Sequence, residues 1–222
     1  MDLLRQYEFF NPLEIKEPIH VIGVGAIGSH IVEMLVRMGV TNIDIYDFDT
    51  VDEHNIPNQM FFETDIEKSK VTALTEQCLA INSNVKINTH EKGWVPETNL
   101  NGYVFICVDS IELRKEIATE NLYNPTIIAM FDCRMGLKDA QSYAADWQDN
   151  KSKDKFLKTM NFTDAEAKET MPVSACGTSM SVLPTIRTIT AACAANWINF
   201  VKGEPLKTCI LVNAFTFQYT TF

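Results

Sequence analysis

Between residues 20 and 70 the glycines Gly23, Gly25 and Gly28, several acids, the amides Asn55 and Gln59 and Lys70 stand at spacings suited to a phosphorylated ligand. Gly23, Gly25 and Gly28 lie in HVIGVGAIGSH, after the apolar run 19–22 and before the amphipathic segment 31–38. A strand, a glycine turn and a helix in that order cradle phosphate, because the first-turn N–H groups of the helix point at negative charge. Gly25 lets the backbone approach the anion, and Gly28 lets helix and strand pack closely. Asp47 closes the next apolar run about 19 residues after Gly28, where an acid accepts hydrogen bonds from ribose hydroxyls. The plainer reading of Asp47 is an acid that caps a strand end. To this point NAD and ATP fit equally well.

Periodicity supplies the scaffold around these residues. Strands are expected at 19–23, 42–47, 84–89, 103–108 and 126–132, with helices at 26–38, 68–81 and 110–122 between them. That alternation predicts a Rossmann-like α/β fold, a mostly parallel sheet with helices on both faces. A further strand is expected at 139–147. The charged stretch 148–180 then reads mostly as a mobile crossover loop, and a helix comes next over 181–201 with Ser181 as its N-cap and Pro184 in its first turn. The tail LKTCILVNAFTFQYTTF alternates enough for two antiparallel strands. One domain over 1–222 is expected, with residues 1–18 as an N-terminal arm.

Composition narrows the possibilities. The 222 residues are 46% hydrophobic, enough for a real core, and the net charge of −10 argues against nucleic acid or an anionic membrane surface as partner. No apolar stretch approaches the ~20 residues that span a bilayer. The N-terminal MDLLRQYEFFNPLEIKEP carries acids in place of a basic and then apolar leader, so the expected location is cytoplasmic. The six cysteines are dispersed without a CxxC pair, which suits a reducing compartment and predicts no structural zinc. The four histidines lack metal-ligand spacing and receive no site role. Phe9, Phe10, Phe61 and Phe62 read as packing or dimer surface, and Trp147 and Trp197 as core.

The residues after Asp47 separate the nucleotides. The run DFDTVDEHNIPNQ, with Asn55 and Gln59, and then Lys70 in EKSK, resembles the ThiF/MoeB/HesA superfamily, the nucleotide-binding domain of ubiquitin-activating-type enzymes. In that family the glycine turn is succeeded by DxDxV, an Asn, an Arg-Gln pair and a Lys. Every element stands here except the Arg, whose position holds Asn58. FICVDSIELRKEI is similar to the family's magnesium-binding aspartate segment, which carries over Asp109 and Arg114. The resemblance covers residues 1–135 well and the remainder loosely.

It implies adenylation of a carboxylate with MgATP. Gly23, Gly25, Ala26, Ile27, Gly28, Asp47, Asp49, Asn55, Gln59 and Lys70 would hold the nucleotide, and Asp109 would place Mg2+. Charge on the phosphates must be held as pyrophosphate leaves, so Lys70 and the metal are the expected stabilisers. A nicotinamide reaction needs no such cations, so ATP is favoured. The implied partner is a small ubiquitin-like or sulfur-carrier protein ending in glycine. Arg5 is similar to the family's N-terminal arginine, which reaches into the opposite subunit, and so implies a homodimer; an exposed arginine on a frayed terminus is the alternative. With Asn58 in place of the Arg, a contribution from Arg5 or Arg114 becomes more necessary.

Cys176, in PVSACGTSMSV, resembles in placement the cysteine of the autophagy-type activating enzymes, where a thioester succeeds the acyl-adenylate. A cysteine before a helix N-terminus favours thiolate, and a buried loop thiol is the alternative. Cys78, Cys107, Cys193 and Cys209 are assigned to the core, and Cys133 is an outside candidate at a strand end. Three other functions stay open: the same fold acting on a small molecule or tRNA base, a non-catalytic nucleotide-binding partner subunit, and an NAD-dependent oxidoreductase.

Overall fold

The computed structural model describes residues 1–170 and 180–222. Among these residues eight strands form one sheet: β1 (Ile19–Ile22), β2 (Asn42–Tyr46), β3 (Lys86–His90), β4 (Gly102–Ile106), β5 (Ile127–Met135), β6 (Asp139–Asp146), β7 (Cys209–Asn213) and β8 (Gln218–Thr221). Their order is β3-β2-β1-β4-β5-β6-β7-β8. Pairing is parallel from β3 to β5 and antiparallel from β5 to β8. β1 sits between β2 and β4, with Ile22 opposite both Tyr46 and Ile106, so the strand order reverses at β1 and a crevice opens at the carboxyl ends.

Six α-helices lie among the described residues: α1 (Ala26–Arg37), α2 (Lys70–Ile81), α3 (Ile111–Glu120), α4 (Asn150–Lys158), α5 (Asp164–Thr170) and α6 (Leu183–Val201). β1 reads IHVI and is buried along its length, the mark of a central strand covered on both faces. Its alternate residues enter separate cores. Ile19 and Val21 join Ile43, Phe105 and Phe131 beneath α1, α2 and α6. Ile22 joins Tyr46, Val104, Ile106 and Met130 beneath α3 and α4. Trp197 of α6 packs edge-on against Phe10 and Tyr103, and Trp147 against Phe156 of α4; both tryptophans are fully buried, as expected. Phe10 and Phe61 are core residues, whereas Phe9 and Phe62 are exposed.

Part of the crossover expected at 148–180 is helical, as α4 and α5, and the Asp149 side chain caps α4 by accepting the N–H of Lys151. Two other details of the second half differ from expectation. α6 begins at Leu183 with Val182 as its cap, not at Ser181, because the Ser181 hydroxyl is engaged elsewhere. The strand expected at 126–132 runs on to Met135, extended by its antiparallel pairing with β6. Among the described residues no helix is long and apolar enough to cross a membrane.

Candidate functional site

The three turn glycines divide their work by what a side chain would meet. Gly23 has a φ of +87°, and a Cβ there would lie 2.9 Å from the Cys107 carbonyl at the end of β4. A Cβ on Gly28 would fall 1.8 Å from the Gly23 carbonyl oxygen, so helix and strand close on one another only with glycine there. Gly25 is different. Its Cβ would meet nothing within 4 Å, and it precedes α1 without any side-chain cap. The uncapped first turn of α1, with Ala26 and Ile27, therefore opens onto free space, which is what an anion needs.

A continuous hydrogen-bonded chain leads from this turn to Lys70. The Val24 N–H donates to Asp47 Oδ2 at 2.7 Å and the Asp49 N–H to Asp47 Oδ1 at 2.9 Å. Burial pushes the Asp47 carboxyl above its ordinary range, opposed by those two N–H bonds and by Lys70. Asp47 thus does tie the strand end, and each of its oxygens keeps a lone pair for a further donor. Lys70 Nζ lies 2.8 Å from Asp49 Oδ2. Lys70 is the first residue of α2 and almost wholly buried, although a cation at a helix N-terminus is disfavoured by the dipole.

Asn55 closes a capping box, its Oδ1 accepting the Asp52 N–H at 2.9 Å. Gln59 leaves a buried Oε1 without a hydrogen-bond partner among the described residues. Asn58 donates to Ser181 Oγ at 2.6 Å, and its carbonyl meets His30 Nε2 at 3.2 Å. Sequence reasoning gives the histidines no site role, but His30, one turn into α1, braces this loop. Its position, two residues after Gly28, is the available signal.

Asp109 lies just beyond β4 on the other side of the crevice, exposed and without a hydrogen bond or ion pair among the described residues. Arg114, expected to reach the site, is instead turned into the protein. It pairs with the fully buried Asp132 and donates to the carbonyls of Val108 and Cys133, while Arg134 holds the other Asp132 oxygen at 2.6 Å. Cys133 does not border the site either; it is buried within β5 beside Ser142. Among the described residues no three metal-ligating side chains cluster. Arg5 is exposed beside Arg37, at the far end of α1, where Gln6 Nε2 donates to the Met38 carbonyl at 2.6 Å. Cys176 lies outside the described residues. The segments flanking it are anchored at the crevice: Asp164 accepts the Ile111 N–H two residues after Asp109, and Ser181 holds Asn58.

A glycine turn at a sheet switch point, an acid on the neighbouring strand and a buried lysine at a helix start define an α/β protein of Rossmann type with a crevice at its switch point. The chain belongs to the ThiF family, whose model matches residues 15–222. It is similar to ubiquitin-like modifier-activating enzyme 5 of Dictyostelium discoideum, 31% identical over 135 residues covering 53% of this chain and 34% of that protein. The enzyme of the same name from Drosophila willistoni is 29% identical over 135 residues, covering 53% and 32%. The chain thus spans about a third of the length of these relatives. The PaaA crystal structure shares the fold with a TM-score of 0.72 at 15% identity, covering 100% of this chain and 68% of that one. E. coli MccB with ATP shares it with a TM-score of 0.70 at 16% identity, covering 95% and 65%.

Proposed function

We propose that the chain uses ATP to adenylate a carboxylate, with attack at the α-phosphate and pyrophosphate as leaving group. The observation that carries this reading is the open space in front of Gly25, joined by the Val24–Asp47–Asp49–Lys70 chain to a buried cation. Lys70 would hold developing phosphate charge, and being fixed beforehand it needs no reorganisation at the moment of reaction. Asp47 would take ribose hydroxyls on its remaining lone pairs, with Asn55 and Gln59 beside the phosphates. Asp109, a carboxylate with no ion-pair partner among the described residues, would hold a magnesium ion, which would supply charge neutralisation.

The substrate in this reading is the C-terminal glycine of a small ubiquitin-like or sulfur-carrier protein, with transfer to Cys176 as a second step. The name of those relatives and the crystallisation of MccB with ATP and with MccA support a protein or peptide substrate. The reading includes a homodimer and a cytoplasmic setting. Asn58, neutral and engaged with Ser181, favours a second reading, a nucleotide-binding partner subunit without catalysis. ATP–pyrophosphate exchange dependent on a glycine-ended peptide separates the two. Stabilisation by NAD but not by MgATP would overturn both.

A further inference from the structure

A bound triphosphate brings several negative charges, and most cations near the crevice are already committed. Lys70 is held by Asp49, and Arg114 and Arg134 face inward onto Asp132. Arg187, in the second turn of α6, is held far more loosely. Its Nη1 is 3.8 Å from Glu33, a carboxylate already engaged by Arg37, and its Nη2 lies 3.3 Å from the Met60 sulfur, a weak acceptor. The side chain is about half exposed.

Its surroundings lead back to the glycine turn. The Met60 N–H donates to Ser29 Oγ at 3.1 Å, and Ser29 in turn donates to the Gly25 carbonyl at 2.7 Å. Arg187 therefore touches the residue that packs on the first turns of α1. Its charge is also felt at His30, which burial and then Arg187 hold down to about 4. The Asn58–Ser181 hydrogen bond fixes the approach to α6 and so sets where Arg187 stands.

We propose that Arg187 contacts the distal phosphates of ATP bound at the Gly25 turn, supplying from α6 a cation that the loop at position 58 lacks. This rests on the nucleotide reading above. A guanidinium matches phosphate oxygens two at a time, and leaving Glu33 breaks only a loose ion pair. Neutral Asn58 then has a reason: it anchors α6 without placing a second positive charge beside Arg187.

Calorimetric titration of ATP and AMP into the parent chain, Arg187→Gln, Arg187→Lys and the double variant Asn58→Arg/Arg187→Gln tests this. Arg187→Gln is expected to weaken ATP about tenfold or more, the scale of a charge-assisted contact, and to leave AMP within about twofold. Arg187→Lys should keep part of the ATP affinity, and the double variant should regain it. Unchanged ATP affinity in Arg187→Gln, or equal loss for ATP and AMP, would overturn the assignment while leaving the nucleotide reading intact. A parent chain that binds neither nucleotide would refute the nucleotide reading and this assignment together. Melting of the ligand-free variants within about 2 °C of the parent shows that a loss is not unfolding.

Discussion

Asp49 holds Lys70 at two points: its carboxylate meets Nζ at 2.8 Å and its carbonyl accepts the Lys70 N–H at 3.0 Å. The lysine is thereby fixed in both backbone and side chain at a helix end that repels it. Replacing Lys70 with Ala should lower pyrophosphate exchange by about a hundredfold or more. The accompanying stability loss should stay near ~1 kcal/mol, since Asp49 remains half exposed and hydrated. Exchange at the parent rate would remove Lys70 from the site.

Gly25 and Gly28 should respond oppositely to the same added methyl. Gly28→Ala drives a carbon into the Gly23 carbonyl and is expected to cost about 3 kcal/mol in urea denaturation. Gly25→Ala meets no protein atom, so its melting temperature should stay within about 2 °C of the parent while ATP affinity falls. A Gly25→Ala protein that binds ATP normally would mean that the anion lies elsewhere.

Asp132 carries two arginines, Arg114 buried and Arg134 partly buried. Asp132→Ala leaves both guanidiniums without their carboxylate and should destabilise the fold by about 3–5 kcal/mol, measured by denaturant titration. A loss below about 1 kcal/mol would mean that Arg114 and Arg134 find other partners.

Stability should fall on mild acidification. His30 is held to about 4 by burial and then by Arg187, and burial also lowers His20, against an ordinary histidine value of 6.5. Between about pH 6.5 and 4 the unfolded chain binds a proton at His30 that the folded chain refuses, so unfolding becomes easier as pH drops through that window. Above it this group contributes no slope. Denaturation midpoints at about pH 7 and 5 should differ less in His30→Gln than in the parent.

Cys176→Ser should abolish a thiol-labile conjugate, seen by gel shift with and without reductant, and leave pyrophosphate exchange in place. Loss of exchange as well would assign the cysteine a structural part.

The parallel half of the fold is legible because its central strands are short, mostly β-branched segments bounded by a glycine or an acid: IHVI before Gly23, NIDIY before Asp47. The glycine turn is legible for the same local reason, and Gly28 closes helix on strand as its spacing implies. α4 escapes the pattern because its apolar face is little more than Phe156 amid lysines, and its position depends on packing under β6. Arg114 misleads because a strand-end acid with an arginine shortly after it looks alike whether the arginine faces a ligand or a buried Asp132 from a strand further on. The links of His30 to Asn58 and of Asn58 to Ser181 cross 28 and 123 residues, and no local pattern carries them.

The N-terminal turn is pinned to the C-terminal end of α1, while the glycine turn lies at its other end. The 12 residues between separate Arg5 from Gly25 by ~18 Å within one chain. If Arg5 acts on the nucleotide at all, it does so across molecules, and specific activity then depends on enzyme concentration. Mixing Arg5→Ala chains with Lys70→Ala chains would then restore one centre per mixed dimer, the one where the Lys70→Ala chain lends its Arg5 to the intact lysine of the Arg5→Ala chain.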